Sequence, residues 1–235
     1  MLNENQKIKF MKSKIALFAL LAVSVIILSF KFDKKKKVLF FGDSITALGV
    51  QPGGYIKRID SLMNVEGAGD KYETIGAGVS GNKIYDLYLR LEDDVLSKQP
   101  DIVVIYIGVN DVWHKAWGTG TDYDKFGKFY EAIIKKLEAA NIKVIISTPA
   151  VIGERTDYSN QLDGDLNYYC SWIKAFAVKE NIPVIDLRKI FLNYNLQYNK
   201  DNKESGILTS DKVHLNAIGN EIVAETFWKA IKEVK

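Results

Sequence analysis

A serine, a histidine and an aspartate stand in segments whose residue types suit nucleophilic catalysis. Ser44 follows Gly42 and Asp43, and Asp211 stands three residues before His214. In a loop or turn, that spacing lets the carboxylate hold the imidazole by its Nδ1–H while Nε2 faces the serine hydroxyl. The pattern predicts acyl transfer with Ser44 as nucleophile and His214 as base. Taken alone, each segment also fits a helix N-cap, for which Asp and Ser are favoured.

Two further segments contain groups that could donate hydrogen bonds to a developing oxyanion. The first is the glycine-rich run from Gly76 to Asn82, where Gly81 can bring its backbone N–H close to a ligand. The second runs from Gly108 to Asp111, where Asn110 offers two neutral N–H donors. A plain glycine turn and an Asn/Asp turn are the alternatives.

The elements that must position these segments follow from the apolar pattern. Five short runs rich in strand formers alternate with longer helical patterns. The predicted strands are Val38–Phe41, Tyr72–Ile75, Ile102–Ile107, Lys143–Ser147 and Pro183–Ile185. The predicted helices are Tyr55–Asn64, Ile84–Leu96, Tyr123–Ala140, Leu166–Glu180 and Ala217–Val234. Strand–helix alternation predicts a parallel sheet between two helix layers, with ligands bound beyond the carboxyl ends of the strands.

In this order the segments resemble the signature blocks of the SGNH/GDSL hydrolase family. Gly42-Asp43-Ser44 matches the first block, Gly81 the second, Gly108 to Asp111 the third, and Asp211 to His214 the fifth. The resemblance implies a three-layer α/β/α flavodoxin-like fold with a five-stranded parallel sheet. It also implies a serine ester hydrolase that works through an acyl-enzyme and needs no cofactor and no metal.

The resemblance further implies a role for each matching residue. Ser44, Asp211 and His214 are expected to be catalytic. The oxyanion hole is expected from the N–H groups of Ser44 and Gly81 and from the Asn110 side chain. Small acyl groups, acetyl above all, on carbohydrate or similar substrates are the expected target. A lipid-type carboxylesterase or lysophospholipase, and a non-catalytic binding protein on the same fold, are the alternatives.

Aromatic residues follow the third segment and are predicted to lie at the rim of the site. Trp113, His114 and Trp117 are the candidate substrate-binding residues. Packing within their own loop is the alternative role. Asp111 and His114 repeat the Asp-x-x-His spacing, but His214 stands before the last helix and is the expected base.

The charge of the chain is unevenly distributed. The net charge is +3, yet residues 1–37 hold nine lysines against two acidic residues, which leaves the remaining chain at −4. A basic surface for nucleic acid is therefore not supported. Cys170 is the only cysteine, so no internal disulfide can form, and its neighbours predict a buried, unreactive thiol.

The N-terminal segment predicts export. Residues 15–30 are uncharged and apolar, and lysines flank them on both sides. The run suits an uncleaved signal anchor better than a cleaved signal peptide, because no small-x-small site follows it. We therefore divide the chain into residues 1–36, a basic segment with this apolar core and a lysine-rich spacer, and residues 37–235, the hydrolase domain. The protein is expected to be membrane-anchored or secreted; the pattern does not indicate an oligomeric state.

Overall fold

The computed structural model describes residues 3, 4, 11 and 34–234, so the apolar segment 15–30 lies outside the described residues. Within the described ranges, no helix combines the length and the apolarity needed to cross a membrane. The division at residue 37 and the anchor stay predictions.

A five-stranded sheet forms the centre of the domain. Its strands are β1 (Lys36–Gly42), β2 (Tyr72–Gly78), β3 (Ile102–Tyr106), β4 (Lys143–Ser147) and β5 (Val184–Ile185). All neighbouring strands are parallel, in the order β2-β1-β3-β4-β5. This is the strand order of flavodoxin-like sheets. The predicted five-stranded parallel α/β fold is confirmed.

Helices connect the strands and cover the sheet. They are α1 (Ser44–Gly49), α2 (Tyr55–Val65), α3 (Ile84–Asp94), α4 (Val109–Trp113), α5 (Tyr123–Ala139), α6 (Asp163–Glu180), α7 (Leu187–Tyr198) and α8 (Ala217–Glu233). Short 3₁₀ turns follow α3 and α4, at Leu96–Lys98 and His114–Trp117.

Three of these helices were not predicted from the sequence. Helices α1 and α4 have only six and five residues, too few for a helical period to show. Helix α7 is longer and has a physical start signal, since the Asp186 side chain accepts a hydrogen bond from the Lys189 N–H at 3.1 Å. It buries Leu187 and Phe191 against the core.

The two faces of the sheet pack against different helices. Phe40 of β1 packs on Tyr55 of α2 and Phe227 of α8, with ring centroids 5.6 and 6.2 Å apart. The next residue, Phe41, points to the opposite face and lies under the Arg90 guanidinium of α3 at 4.6 Å. Every residue of β3 is buried, as expected for a central parallel strand covered on both faces.

Cys170 of α6 lies inside this core. Its thiol donates a weak hydrogen bond to the Pro149 carbonyl at 3.7 Å, and burial raises its pKa to about 12. The prediction of a buried cysteine is confirmed. A thiol with so high a pKa carries almost no thiolate at neutral pH and is a poor nucleophile.

The strands end in register at one edge of the sheet, which brings the segments that follow them together. Gly42 of β1 pairs with Gly78 of β2 and with Tyr106 of β3. Gly78 also lets α1 approach closely, because a Cβ built there would lie 2.1 Å from the Ala47 backbone nitrogen. The first turn of α1, which carries Ser44, is thereby set directly against the end of β2.

Candidate active site

An unbroken hydrogen-bonded chain runs from Asp211 through His214 to Ser44. The His214 Nε2 atom lies 2.9 Å from the Ser44 hydroxyl oxygen, and its Nδ1 atom lies 2.7 Å from Asp211 Oδ2. Ser44 and His214 are 170 positions apart in sequence, so the fold alone brings them together. The arrangement supplies a nucleophile, a base within reach of its proton, and a carboxylate that orients the base.

Ser44 is the first residue of α1, directly beyond the carboxyl end of β1. The residue before it is the N-cap, since the Asp43 side chain accepts the Ile45 N–H at 2.9 Å. Asp43 therefore takes the capping role that the sequence also allowed for Ser44. The N–H of a first helical residue has no acceptor within its own helix, so the Ser44 N–H is available as a hydrogen-bond donor.

The turn that carries His214 is built around the Asp211 carboxylate. Asp211 Oδ1 accepts the backbone N–H groups of Val213 at 3.2 Å and His214 at 2.8 Å, while Oδ2 binds the ring. Lys212, directly after Asp211, adopts a left-handed φ of 86°, a strained conformation for a residue with a side chain. Partial burial raises the pKa of Asp211, but these hydrogen bonds outweigh it and hold the pKa below its ordinary value. The group therefore remains a carboxylate beside the imidazole.

Glu154 holds the segment that leads into this turn, a role the sequence analysis missed. Its buried carboxylate accepts three consecutive backbone N–H groups, those of Ile207 at 2.8 Å, Leu208 at 2.6 Å and Thr209 at 2.8 Å. A carboxylate bound by three backbone donors fixes both the position and the direction of the chain. No local pattern signals this role, because Glu154 is more than fifty positions from its partners.

The two predicted donor segments contact each other. Gly81 has a left-handed φ of 78°, and its carbonyl accepts a hydrogen bond from the Lys83 ammonium at 2.7 Å. The buried Asn110 side chain donates from Nδ2 to the Asn82 carbonyl at 3.1 Å. An amide nitrogen carries two hydrogens, so one remains for a ligand. The bond to Asn82 joins the second and third segments directly.

Two buried carboxyl groups brace these segments, and neither is hydrogen-bonded to Ser44, His214 or Asp211. Asp43 caps α1, and Asp111 Oδ1 accepts the Ile84 N–H at the start of α3 at 3.1 Å. Burial raises the pKa of Asp43 to about 7 and that of Asp111 to about 6. The Asp111 charge raises the pKa of Asp43 further.

The raised pKa of Asp43 predicts a pH-dependent stability. Between about pH 4 and 7 the folded protein keeps a proton that the unfolded chain has released, so the free energy of unfolding falls as pH rises through this window. Asp43→Asn removes the ionisation and keeps the cap. We expect the free energy of unfolding of the variant to exceed that of wild type by on the order of 2–4 kcal/mol at pH 8 and to equal it near pH 4. Urea denaturation at both pH values measures this.

Asp124→Asn, at an exposed position, is the matched control and should change stability little at either pH. An equal stability difference between Asp43→Asn and wild type at pH 4 and pH 8 would contradict the burial of an ionisable group at Asp43.

The three predicted substrate-binding residues form one aromatic cluster at the end of α4. The His114 ring lies 4.8 Å from Trp117 and 5.7 Å from Trp113. Trp117 is 61% exposed, and Trp113 is partly buried against the core. Burial and the nearby Lys83 charge lower the pKa of His114, which favours its neutral form. The imidazole that bonds to Ser44 is that of His214.

A polar cavity of about 310 Å³ opens between α4 and the turn that carries His214. Trp113, Arg155, Gln161 and Lys212 are among its lining residues. Glu204 lies between the two cations, 2.7 Å from Lys212 and 4.0 Å from Arg155. Two larger cavities, of about 540 and 590 Å³, share Lys143 at the start of β4 and so lie at the opposite end of the sheet, away from this chemistry.

The fold and this geometry agree with the comparisons with known proteins. Residues 40–222 match the model of the GDSL-like Lipase/Acylhydrolase family. The chain belongs to this family. A crystal structure of an acetyl xylan esterase is 60% identical, covers 83% of this chain and 99% of its own, and superposes with a TM-score of 0.82. Membership confirms the predicted family and the predicted carboxylic ester hydrolase.

More distant relatives show the same match over most of their length. The acetylxylan esterase of Geobacillus stearothermophilus is 28% identical over 222 residues, 86% of this chain and 96% of the relative. A structure of an acetyl-xylooligosaccharide esterase from the same organism is 26% identical, with a TM-score of 0.73, and covers 87% of this chain and 97% of its own.

Proposed function

We propose that this protein is a serine esterase that removes acetyl groups from carbohydrate, with acetylated xylan or its oligosaccharides as the substrate class. The hydrogen-bonded chain Asp211–His214–Ser44 carries the serine mechanism. The choice of substrate is supported by the acetyl xylan esterase that is 60% identical. In this proposal Ser44, His214 and Asp211 are catalytic, and the oxyanion hole is formed by the N–H groups of Ser44 and Gly81 and by Asn110.

In the first half of the reaction Ser44 Oγ attacks the acetyl carbonyl carbon. His214 Nε2, 2.9 Å away, takes the serine proton, and Asp211 stabilises the imidazolium through Nδ1–H. The carbonyl oxygen becomes an oxyanion that accepts hydrogen bonds from the backbone and from Asn110. The imidazolium then returns the proton to the sugar oxygen as the C–O bond breaks, which leaves an acetylated Ser44.

In the second half a water molecule attacks the acetyl-enzyme. His214 takes a proton from the water, and the same donors stabilise the second oxyanion. Collapse of this intermediate returns the proton to Ser44 Oγ and releases acetate. Every proton transfer uses the one imidazole, so no metal or cofactor takes part in the proposed reaction.

Asn110→Ala is expected to lower kcat by about 100- to 1000-fold, with KM changed little, because the lost donor acts mainly on the oxyanion. Steady-state kinetics on p-nitrophenyl acetate measures this. Asn193→Ala, at an exposed position of α7, is the control for general damage. An unchanged kcat in Asn110→Ala would remove Asn110 from the site.

The polar cavity beside Lys212 is proposed as the binding site for the sugar. Trp113 offers an aromatic face to a pyranose ring, and Gln161 and Arg155 offer hydrogen-bond donors to its hydroxyl groups. His114 and Trp117 pack beside Trp113, and Trp117 is exposed to solvent. Trp113→Ala should therefore raise KM for an acetylated oligosaccharide while leaving hydrolysis of p-nitrophenyl acetate nearly unchanged.

A series of p-nitrophenyl esters tests the acyl preference. The proposal predicts that kcat/KM is highest for acetate and falls with chain length. A rise with chain length would favour the lipid-type carboxylesterase instead. Absence of turnover in a folded sample that also fails to react with a fluorophosphonate would favour a non-catalytic binding protein.

The proposal includes export. The uncharged run 15–30, flanked by lysines, is proposed to act as an uncleaved anchor or as a signal peptide. An anchor of this kind would hold the protein at a membrane and says little about its substrate. The N-terminal sequence of the mature protein from cells distinguishes the two: an intact N-terminus indicates an anchor, and a new one indicates cleavage.

A further inference from the structure

Arg90, in the middle of α3, has a role that the mechanism above leaves open. Its side chain is only 16% exposed and stacks on the Phe41 ring of β1 at 4.6 Å. It pairs with Asp94 one turn later on the same helix, at 2.6 Å. That ion pair uses Nη1 alone, so the other guanidinium nitrogens are free to bind elsewhere.

The remaining N–H groups of Arg90 hold the segments that bear the proposed oxyanion donors. Nη2 donates to the Gly42 carbonyl at 2.7 Å and to the Ala77 carbonyl at 3.1 Å. Nε donates to the Asn82 side-chain oxygen at 2.7 Å. Gly42 precedes the Asp43–Ser44 turn, and Asn82 follows Gly81. One planar group therefore joins the ends of β1 and β2 to the glycine-rich loop.

The third donor is linked through the same contact. The Asn82 carbonyl accepts the Asn110 amide at 3.1 Å, while the Asn82 side chain is held by Arg90. The Gly42 carbonyl also accepts the Val79 N–H at 3.3 Å. Ser44 follows Gly42 by two residues, Gly81 directly precedes Asn82, and Asn110 is one hydrogen bond from Asn82. Each proposed oxyanion donor is thus within two residues or one hydrogen bond of a group that Arg90 binds.

We propose that Arg90 is the positioning residue of the oxyanion hole, fixing the Ser44, Gly81 and Asn110 donors relative to one another. This rests on the proposed function. Arg90 touches neither the substrate nor the reacting atoms; it acts through Gly42, Ala77 and Asn82. By contrast, Glu154 holds the opposite side of the site, the approach to the His214 turn.

Arginine suits this task because its guanidinium is planar and presents donors in fixed directions. Four of its five N–H groups are used here, to Gly42, Ala77, Asn82 and Asp94. A lysine ammonium is a point donor on a flexible chain and cannot span the same acceptors in one plane. Arg90→Lys therefore keeps the positive charge but loses the planar group whose donors reach these acceptors.

We expect Arg90→Lys to lower kcat for p-nitrophenyl acetate by about 10- to 100-fold with KM within twofold, because displaced donors stabilise the oxyanion less well. Inhibition by 2,2,2-trifluoroacetophenone should weaken by a similar factor. The serine oxygen adds to the carbonyl carbon of this ketone, and the ketone oxygen becomes an oxyanion. The midpoint of the pH–rate profile should not move, since Arg90 contacts neither Asp211 nor His214. Wild type and every variant are assayed as the full-length protein.

Two variants control for structure. Arg58→Lys alters a surface arginine of α2 that binds the Gly53 carbonyl, and it should leave kcat unchanged. Asn82→Ala removes only the Nε contact and keeps the backbone carbonyl for Asn110. It should lower kcat by about tenfold, and it tests the proposal even if Arg90→Lys fails to fold.

The double variant Arg90→Lys with Asn110→Ala gives the sharpest result. If Arg90 acts through the oxyanion donors, the combined loss is smaller than the product of the single losses. A combined loss equal to the product, or unchanged kcat in both Arg90→Lys and Asn82→Ala, would overturn the positioning role while leaving the esterase intact. Absence of hydrolysis by folded wild type would instead overturn the proposed function, and this inference with it.

Discussion

Ser44→Ala is expected to lower kcat/KM for p-nitrophenyl acetate by about 10⁴- to 10⁶-fold, the loss expected when the nucleophile of a serine hydrolase is removed. The hydroxyl oxygen lies 2.9 Å from His214 Nε2, so its loss removes both the attacking atom and the proton that the imidazole takes. Fold and stability should be preserved, because Ser44 is not the cap of α1 and Asp43 keeps that role.

A fluorophosphonate probe provides the matching covalent readout. Wild type should be labelled at Ser44, and Ser44→Ala should not be labelled. Ser61→Ala, an exposed serine of α2 whose hydroxyl bonds only to the Lys57 carbonyl, is the control and should behave as wild type. Labelling of Ser44→Ala at the wild-type rate would show that another residue is the nucleophile.

His214→Ala is expected to cause a loss of similar size, about 10⁴- to 10⁶-fold in kcat, because no other base lies within hydrogen-bond reach of Ser44 in the described part of the chain. The chain offers an internal control, since it has only one other histidine. His114→Ala should change kcat by less than about tenfold, because the His114 ring packs against Trp113 and Trp117 and not against Ser44.

Steady-state kinetics of the two histidine variants therefore separates the roles. Loss of turnover in His114→Ala together with activity in His214→Ala would contradict the assignment of the base. A change in KM alone in His114→Ala would instead support its place at the substrate rim.

The sequence was sufficient to predict the sheet because its signals are local. The predicted strand Ile102–Ile107 is a continuous run rich in β-branched residues, and its first five residues form the fully buried central strand β3. The predicted bounds of β4 match the structure, whereas β2 extends three residues further, through Gly76 to Gly78. The end of β2 was not predicted because glycine has a low preference for strands. These glycines extend the strand by backbone pairing with the neighbouring β1.

The site was predictable where each residue follows its own strand. Ser44 and Asn110 come directly beyond β1 and β3, and the parallel sheet brings those ends together. His214 was placed by its spacing from Asp211 and by the family resemblance. That His214 lies within hydrogen-bonding distance of Ser44 could not be predicted from the local sequence, since 170 positions separate the two residues.

The supporting groups could not be predicted, because their contacts join distant positions. Arg90 is 48 positions from Gly42, and Glu154 is 53 to 55 positions from the backbone it binds. On a helix, Arg90 resembles any residue with an acidic partner four positions away. Only the fold shows that most of its donors serve other segments.

Acetate release from acetylated xylo-oligosaccharides is the most direct test of the central claim. The full-length wild type, Ser44→Ala and Ser61→Ala are incubated with the substrate, and free acetate is measured over time. We expect steady release of acetate by wild type and Ser61→Ala, and none above background by Ser44→Ala. Release by Ser44→Ala at the wild-type rate, or hydrolysis of long-chain esters by a wild type that leaves the acetylated sugar untouched, would contradict it.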